Sequence, residues 1–280
     1  MEIFQIPALR NPRMVIAFGG WNDAGECATD AITHLMHIWP SSLIAEVESE
    51  DYYDYQVNRP MVSLDETSHR ILTWPTTKIF AIPTPHLPFD LVVVEGIEPS
   101  MRWKSFSHEI MDLADDLDVA LVVTLGGLLA DTPHSRPIDI SITGANQEIS
   151  NRLNIELSRY EGPTGIIGVL QSGAMRRGID AISLWAPVPH YASASPSPKA
   201  TLALLGALED SLSITIPSGD LPEEATNWQN SVDELVSEDS EISDYVKQLE
   251  ASKDETQLPQ ATGEAIAKEF ERYLRRQEEK

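Results

Sequence analysis

Acidic, basic and histidine side chains stand next to several apolar segments of this sequence. Three such groups follow the apolar segments 14–18, 91–94 and 119–125, and a fourth precedes the last predicted core helix. In open α/β sheets, ligands bind in the crevice beyond the carboxyl ends of the strands. We therefore expect one candidate cleft, formed by Asp23, Glu95, Glu98, Arg102, Asp131, His134, Arg136 and His190.

Two interpretations of this cleft remain open. Paired acids, two arginines and two histidines could carry out acid–base chemistry on a small anionic or amide substrate. In the structural alternative, Asp23 caps a helix and Glu98 pairs with Arg102 one turn away. His134 and Arg136 would then fix a proline-bounded loop. We favour the structural interpretation, because ion-pair networks also gather polar residues without catalysis.

The motifs of familiar enzyme classes are missing from the sequence. No G-x-S-x-G serine elbow and no H-E-x-x-H metal motif occur, and Gly19, Gly20 and Gly25 match neither a dinucleotide fingerprint nor a Walker loop. Cys27 is the single cysteine, which excludes an internal disulfide and a cysteine-built zinc site. We expect no cofactor and no metal, and we assign no catalytic residue. Whether the chain is an enzyme stays open, with the balance against it.

Charge narrows the classes of partner. The formal net charge is −24, which argues against nucleic acid, because phosphate neutralisation needs clustered lysine and arginine. It argues equally against an anionic membrane surface. The first residues lack the pattern of a signal peptide, and no apolar segment is long enough to span a membrane. We expect a cytoplasmic protein whose partners are proteins.

Hydrophobic periodicity predicts the elements that position the cleft. Continuous apolar segments predict buried strands, and apolar residues at helical spacing predict amphipathic helices. Predicted strands cover residues 14–18, 43–47, 91–94, 119–125 and 165–170, with a hairpin of 70–74 and 78–82 around Pro75; predicted helices cover 23–39, 105–117, 147–157, 174–182 and 197–208. Alternating strands and helices indicate an α/β fold with an at least partly parallel sheet.

The C-terminal region differs in composition. From Asp220 to Lys280 there are 17 acidic and 7 basic residues, more than twice the net acidity per residue of the rest. We expect an α/β core domain over residues 1–217 and an acidic helical extension over 218–280. Two polar helices are predicted, at 223–249 and 263–277. The first has a narrow apolar stripe, which needs a partner surface on the core or on another subunit.

Five ordered segments resemble the proteasome assembly chaperone family in its prokaryotic, largely actinobacterial branch. They cover about residues 1–215: Gly20-Trp21-Asn22-Asp23-Ala24-Gly25; Gly96-Ile97-Glu98-Pro99 with Arg102-Trp103; Leu125 to Asp131 with Pro133 to Pro137; Gly162 to Ile166; and Trp185 to Tyr191 with Pro196 and Pro198-Lys199-Ala200. The resemblance implies a three-layer α/β/α fold like that of phosphorylases and hydrolases, with a mixed, largely parallel sheet. It also implies self-association, for which a trimer is one form.

The resemblance also sets the functional alternatives. Eukaryotic and archaeal relatives bind proteasome α subunits and dock a C-terminal hydrophobic–Tyr–any-residue tail between them. This sequence ends in Gln277-Glu278-Glu279-Lys280, with Tyr273 further upstream, so docking by that route is not expected. The first hypothesis is a non-enzymatic interaction protein or assembly chaperone. The alternative is a hydrolase-like or phosphorylase-like enzyme, or a ligand binder, that uses the cleft at the strand ends.

Overall fold

The structure is a computed structural model that describes residues 1–257. Its strands are β1 Glu2–Ile3, β2 Arg13–Gly19, β3 Ser42–Glu46, β4 Met61–Leu64, β5 Arg70–Thr73, β6 Thr77–Ile82, β7 Leu91–Ile97, β8 Leu121–Ala130, β9 Ser141–Gly144, β10 Glu156–Leu157 and β11 Asp180–Pro189. Its helices are α1 Cys27–Ile38, α2 Trp103–Asp116, α3 Gln147–Leu153, α4 Ile166–Arg176, α5 Pro198–Leu212, α6 Leu221–Glu238 and α7 Ser240–Gln257.

Nine strands form one mixed sheet in the order β1-β3-β6-β7-β2-β8-β11-β9-β10, and β4 and β5 form a separate two-stranded sheet. Strand β2 is parallel to both β7 and β8, while β6 is antiparallel to β7 and β3. The α/β class with a mixed sheet and C-terminal helices is therefore confirmed. Residues 258–280, which include the predicted helix 263–277, lie outside the described residues.

By compactness, the chain divides into two units. The first contains Met1–Asp23, Ala28–Gly126 and Ile142–Leu184; the second contains Ala24–Cys27, Gly127–Ser141 and the chain from Trp185 onward. Strands β8 and β11 each run from the first unit into the second. No boundary between the two units falls at residue 217, so the domain boundary expected there stays a prediction.

The core of the first unit consists of the apolar segments that predicted its central strands. Met14 to Phe18 of β2 and Leu91 to Val94 of β7 are fully buried, and burying one such side chain stabilises a fold by about 1.5–3 kcal/mol. Helix α2 buries Phe106 and Ile110, which are four residues apart and so share a face. Helices α2 and α4 contact one another. A Cβ atom on Gly173 would lie 2.7 Å from the Ser107 Oγ atom, so glycine permits the close approach of these two helices.

Four predicted elements were wrong. Residues 165–170 begin helix α4 instead of forming a strand, and the predicted helix 174–182 contains the end of α4 and the start of β11. The predicted hairpin does not form, because β5 pairs with β4 in the small sheet while β6 joins the large one. The single helix predicted at 223–249 is broken into α6 and α7 at Asp239, which has an extended backbone.

Candidate functional site

Asp23 is a helix cap in the first unit. Its Oδ1 atom accepts hydrogen bonds from the backbone N–H of Ala28 at 2.7 Å and, more weakly, of Thr29 at 3.4 Å. These donors belong to the first turn of α1, where backbone N–H groups have no partner within the helix. The predicted capping role of Asp23 is therefore observed. The predicted capping-box residue Glu26 instead has a left-handed backbone, with φ 55°.

Glu98 also caps a helix. It follows β7 in the chain, but the helix that it caps is the distant α4. Its Oε1 atom accepts hydrogen bonds from the Ile166 N–H and from Asn22 Nδ2, both at 2.8 Å. The carboxylate therefore stabilises the N-terminus of α4, where the helix dipole favours negative charge. A Cβ atom on Gly165 would lie 2.2 Å from the Asn22 side-chain amide atoms, so Asn22, Glu98 and Gly165 are packed as one joint. The residues that make these contacts come from three of the five segments that resemble the family.

The other two candidates in the first unit have separate partners. Glu95 lies on β7 opposite Lys78 of β6. Burial raises the pKa of Glu95, and the charge of Lys78 opposes that shift. Arg102 has a left-handed backbone before α2, contacts Asp51 and stacks 5.6 Å from the Tyr52 ring centroid. The Glu98–Arg102 pair of the structural alternative is therefore replaced by contacts of each residue with other groups.

In the second unit, the remaining candidates lie around the segment of residues 131–139, which we call the strand-end loop. Side chains of the C-terminal helices α6 and α7 form hydrogen bonds and ion pairs with the strand-end loop and with adjacent residues. His134 is 2% exposed. Its Nδ1 atom lies 2.8 Å from the Tyr191 hydroxyl and its Nε2 atom lies 3.0 Å from Asp233 Oδ1 of α6. Both ring nitrogens of His134 are thus engaged.

The hydrogen bonds of the Tyr191 hydroxyl assign the donor and acceptor roles of the two His134 ring nitrogens. Burial raises the pKa of Tyr191 to about 12, so its hydroxyl keeps its proton at neutral pH. It accepts the backbone N–H of His134 at 2.8 Å and can donate to Nδ1, which leaves Nε2–H to donate to Asp233. Lys199 of α5 completes the cluster by donating to the His134 carbonyl oxygen and to Gln229 of α6. Burial lowers the pKa of Lys199.

Helix α7 contacts the strand-end loop through charged groups. Arg136 donates from Nε and Nη2 to the two carboxylate oxygens of Asp254 at 2.8 and 2.9 Å, and Glu250 lies 3.3 Å from Nη1. These partners raise the pKa of Arg136, with the Asp254 hydrogen bond as the largest cause. Lys253 also contacts Asp139 of the loop. The fork geometry of Arg136 makes this a specific bidentate pair.

Among the candidate residues in the described part of the second unit, Asp131 and His190 are the one pair in direct contact. Asp131 Oδ1 lies 3.3 Å from His190 Nδ1. The Tyr245 hydroxyl of α7 donates to Asp131 at 2.7 Å and lies 3.4 Å from His190 Nε2. Asp131 and His190 are both exposed. The convergence of all eight candidates on one cleft stays a prediction.

The sequence did not reveal which residues of α6 and α7 make these contacts. Asp233, Tyr245, Glu250 and Asp254 were counted only as part of a polar, acidic segment. A signal was present, because Val246, Glu250 and Asp254 recur every four residues and so share one helix face. Val246 is buried, which marks that face as the packed one.

Among residues 1–257, no group of three His, Cys, Asp or Glu side chains is arranged to hold a metal ion. In the same part of the chain, no helix combines the length and apolarity needed to cross a membrane.

The His134 contacts predict a measurable contribution to stability. We expect His134→Ala to lower the free energy of unfolding by about 2 kcal/mol, because it removes a buried ring together with its hydrogen bonds to Tyr191 and Asp233. At this chain length that corresponds to a fall in melting temperature of about 4–8 °C. His190→Ala is the matched control, since His190 is exposed, and it should change the melting temperature by less than about 2 °C. Equal shifts for both variants would contradict a special role for the buried ring.

This chain belongs to the PAC2 family. The PAC2 family model matches residues 17–236. Among curated proteins, no sequence matches this chain.

Solved structures agree with the family assignment. A PAC2 family protein from Streptomyces avermitilis is 50% identical, with a TM-score of 0.79 over 84% of this chain and 99% of that one. A proteasome-assembly chaperone homologue from Mycobacterium tuberculosis is 45% identical, with a TM-score of 0.77 over 84% and 99%. Pyrococcus furiosus PbaB, an archaeal proteasome activator, is 17% identical, with a TM-score of 0.66 over 84% and 97%, and shares the fold. The resemblance noted from the sequence is confirmed.

Proposed function

We propose that this chain is a cytoplasmic, non-enzymatic interaction protein with a chaperone-like role, which binds another protein and also copies of itself. The observation that carries the proposal is the engagement of His134. A general base needs an accessible nitrogen within reach of a substrate proton. His134 is buried, and its two nitrogens face Tyr191 and Asp233.

The other candidates in the second unit support the same conclusion. Arg136 is held by Asp254 and Glu250, and Asp131 and His190 both contact Tyr245. The acid–base residues of the alternative function thus already serve as attachment points for α6 and α7. A reaction that uses His134 as a general base would first require α6 to leave it.

Similarity to the M. tuberculosis proteasome-assembly chaperone homologue supports a partner of a particular class. We propose that the partner is a proteasome α subunit.

A binding experiment tests this function. Purified full-length chain mixed with α subunits of an actinobacterial proteasome should give a complex of defined stoichiometry by native mass spectrometry, with micromolar or tighter affinity. Proteasome β subunits serve as the control and should not bind. In parallel, a hydrolase and phosphorylase screen should show no turnover. Absence of a complex, together with a turnover abolished in His134→Ala, would establish the enzyme alternative instead.

A further inference from the structure

The small sheet projects an exposed β-hairpin from the first unit. We call residues 57–74 the arm. Every residue of β4 and β5 is exposed, although the two strands pair in regular antiparallel register. The turn is fixed by Asp65, whose Oδ1 atom accepts the N–H groups of Thr67 and His69, both at 2.8 Å. The arm is therefore a formed element whose two faces lack cover within the described residues.

The arm carries large apolar side chains on both faces. Val62 is opposite Leu72 in the register, and Leu64 follows two residues along on the same face. Met61 and Ile71 occupy the other face. Met61 is 70% exposed and Leu64 66% exposed. An isolated two-stranded hairpin is marginally stable in water, and exposed apolar strands with free edges associate with other strands. These features indicate that the arm is covered by a partner.

The charge of the arm indicates which partner. Arg59 and Arg70 balance Asp65 and Glu66, so the arm is formally neutral on a chain of net charge −24. A strongly basic partner would gain nothing from this surface, since charge complementarity needs opposite potentials. A second copy of the chain brings the same −24, and the two copies repel least where they carry no net charge. The copy also brings an identical apolar arm with free strand edges.

We propose that the arm is the surface through which copies of this chain associate, with the face of Val62, Leu64 and Leu72 buried against the second copy. In a dimer with two-fold symmetry, which is the commonest symmetric oligomer, both copies use the same patch. The inference rests on the self-association part of the proposed function and adds the residues that perform it. Binding of an α subunit is a separate event and is tested separately.

Measuring mass in solution tests the arm. The full-length chain, 31.0 kDa per copy, should form a stable oligomer in light scattering coupled to size exclusion. Leu72→Asp should reduce the mass to that of one copy, because it places a carboxylate on the buried apolar face. Ser63→Asp adds the same charge to the opposite face of the same hairpin and should leave the oligomer intact.

A milder variant covers the case in which Leu72→Asp unfolds the hairpin. Leu72→Thr keeps a residue suited to strands and should raise the dissociation constant of the oligomer at least tenfold. An oligomer that survives both Leu72 variants would overturn the role of the arm while leaving self-association intact. A wild-type chain that stays at 31.0 kDa at all concentrations would overturn self-association itself, whatever the outcome with α subunits.

Discussion

Replacing Gly25 with alanine should lower the free energy of unfolding by about 2–4 kcal/mol, from backbone strain and from steric overlap together. Gly25 has φ 63°, in the left-handed region that disfavours side chains. Its added Cβ would lie 2.6 Å from the Ser197 Cβ atom and 3.5 Å from Val188 Cγ1. The Gly25 carbonyl oxygen also accepts the Ser197 N–H at 2.8 Å, so Ser197 cannot move away without losing that bond.

Urea unfolding followed by tryptophan fluorescence measures this effect. Gly178→Ala separates the two causes, because Gly178 has φ 75° but nothing within 4 Å of an added Cβ. That control should cost about 1 kcal/mol, the contribution of the backbone alone. A loss at Gly25 no larger than the loss at Gly178 would show that Ser197 adapts to the methyl group.

Replacing Asp90 with alanine should lower the free energy of unfolding by about 3 kcal/mol, because it removes a buried carboxylate that holds several donors. Asp90 accepts hydrogen bonds from the Arg10 backbone N–H at 2.8 Å, from Arg10 Nη2 at 2.7 Å and from the Thr84 N–H at 2.8 Å. The Asp90 side chain is 5% exposed, whereas Arg10 is half exposed. Alanine would leave the buried Thr84 N–H without this acceptor.

The effect should depend on pH in a definite direction. Burial raises the pKa of Asp90. The hydrogen bonds from Arg10 and Thr84 lower this pKa by a larger amount, so that its value is about 2. Because the unfolded value is about 3.9, the carboxylate stabilises the fold fully above about pH 4, and this contribution is lost as pH falls toward 2. The difference between wild type and Asp90→Ala should therefore narrow between pH 7 and pH 3.

Asp112→Asn is the control for the Asp90 experiment. Asp112 is exposed and pairs with Arg177 at the surface, where an ion pair contributes about 0–1 kcal/mol. Its effect should be small at both pH values. A difference at Asp90 that does not change with pH would show that shape rather than charge accounts for the loss.

The central strands could be predicted from the sequence, whereas helix α4 could not. Met14 to Phe18 and Leu91 to Val94 are continuous apolar segments, and both proved to be buried parallel strands. Ile166 to Leu170 has a similar composition but forms a helix. The start of that helix is fixed by Glu98, 68 positions away in the chain. A local pattern contains no information about such a distant cap.

The arm was partly visible in the sequence and was assigned to the wrong partner strand. The sequence predicts an extended segment that includes Arg70–Thr73, which forms β5, but it also suggests Pro75 as the turn to the following strand. The turn lies on the other side, where Asp65 binds two backbone N–H groups and Ser68 has φ 63°. Aspartate, threonine and serine within the segment Asp65-Glu66-Thr67-Ser68 are turn-forming residues, and they indicate a turn at this position.

The candidate site shows the limit of sequence reasoning for charge. Composition identifies the C-terminal region as acidic but does not identify the groups that its carboxylates contact. In the structure, Asp233, Glu250 and Asp254 face His134 and Arg136 of the same chain. Spacing along the helices could reveal their common face, but not the surface that this face meets.

The two C-terminal helices differ in how far their contacts are exposed, and this has a consequence at high salt. Helix α6 is anchored by buried Val232 and by Asp233, which contacts the buried ring of His134. Salt screens buried groups less than exposed ones. Helix α7 depends more on half-exposed pairs such as Arg136–Asp254. The Debye length falls from about 8 Å at physiological ionic strength to about 3 Å at 1 M salt. Raising the salt concentration would therefore loosen α7 before α6, and would separate Tyr245 from Asp131 and His190 while the His134 ring stays buried.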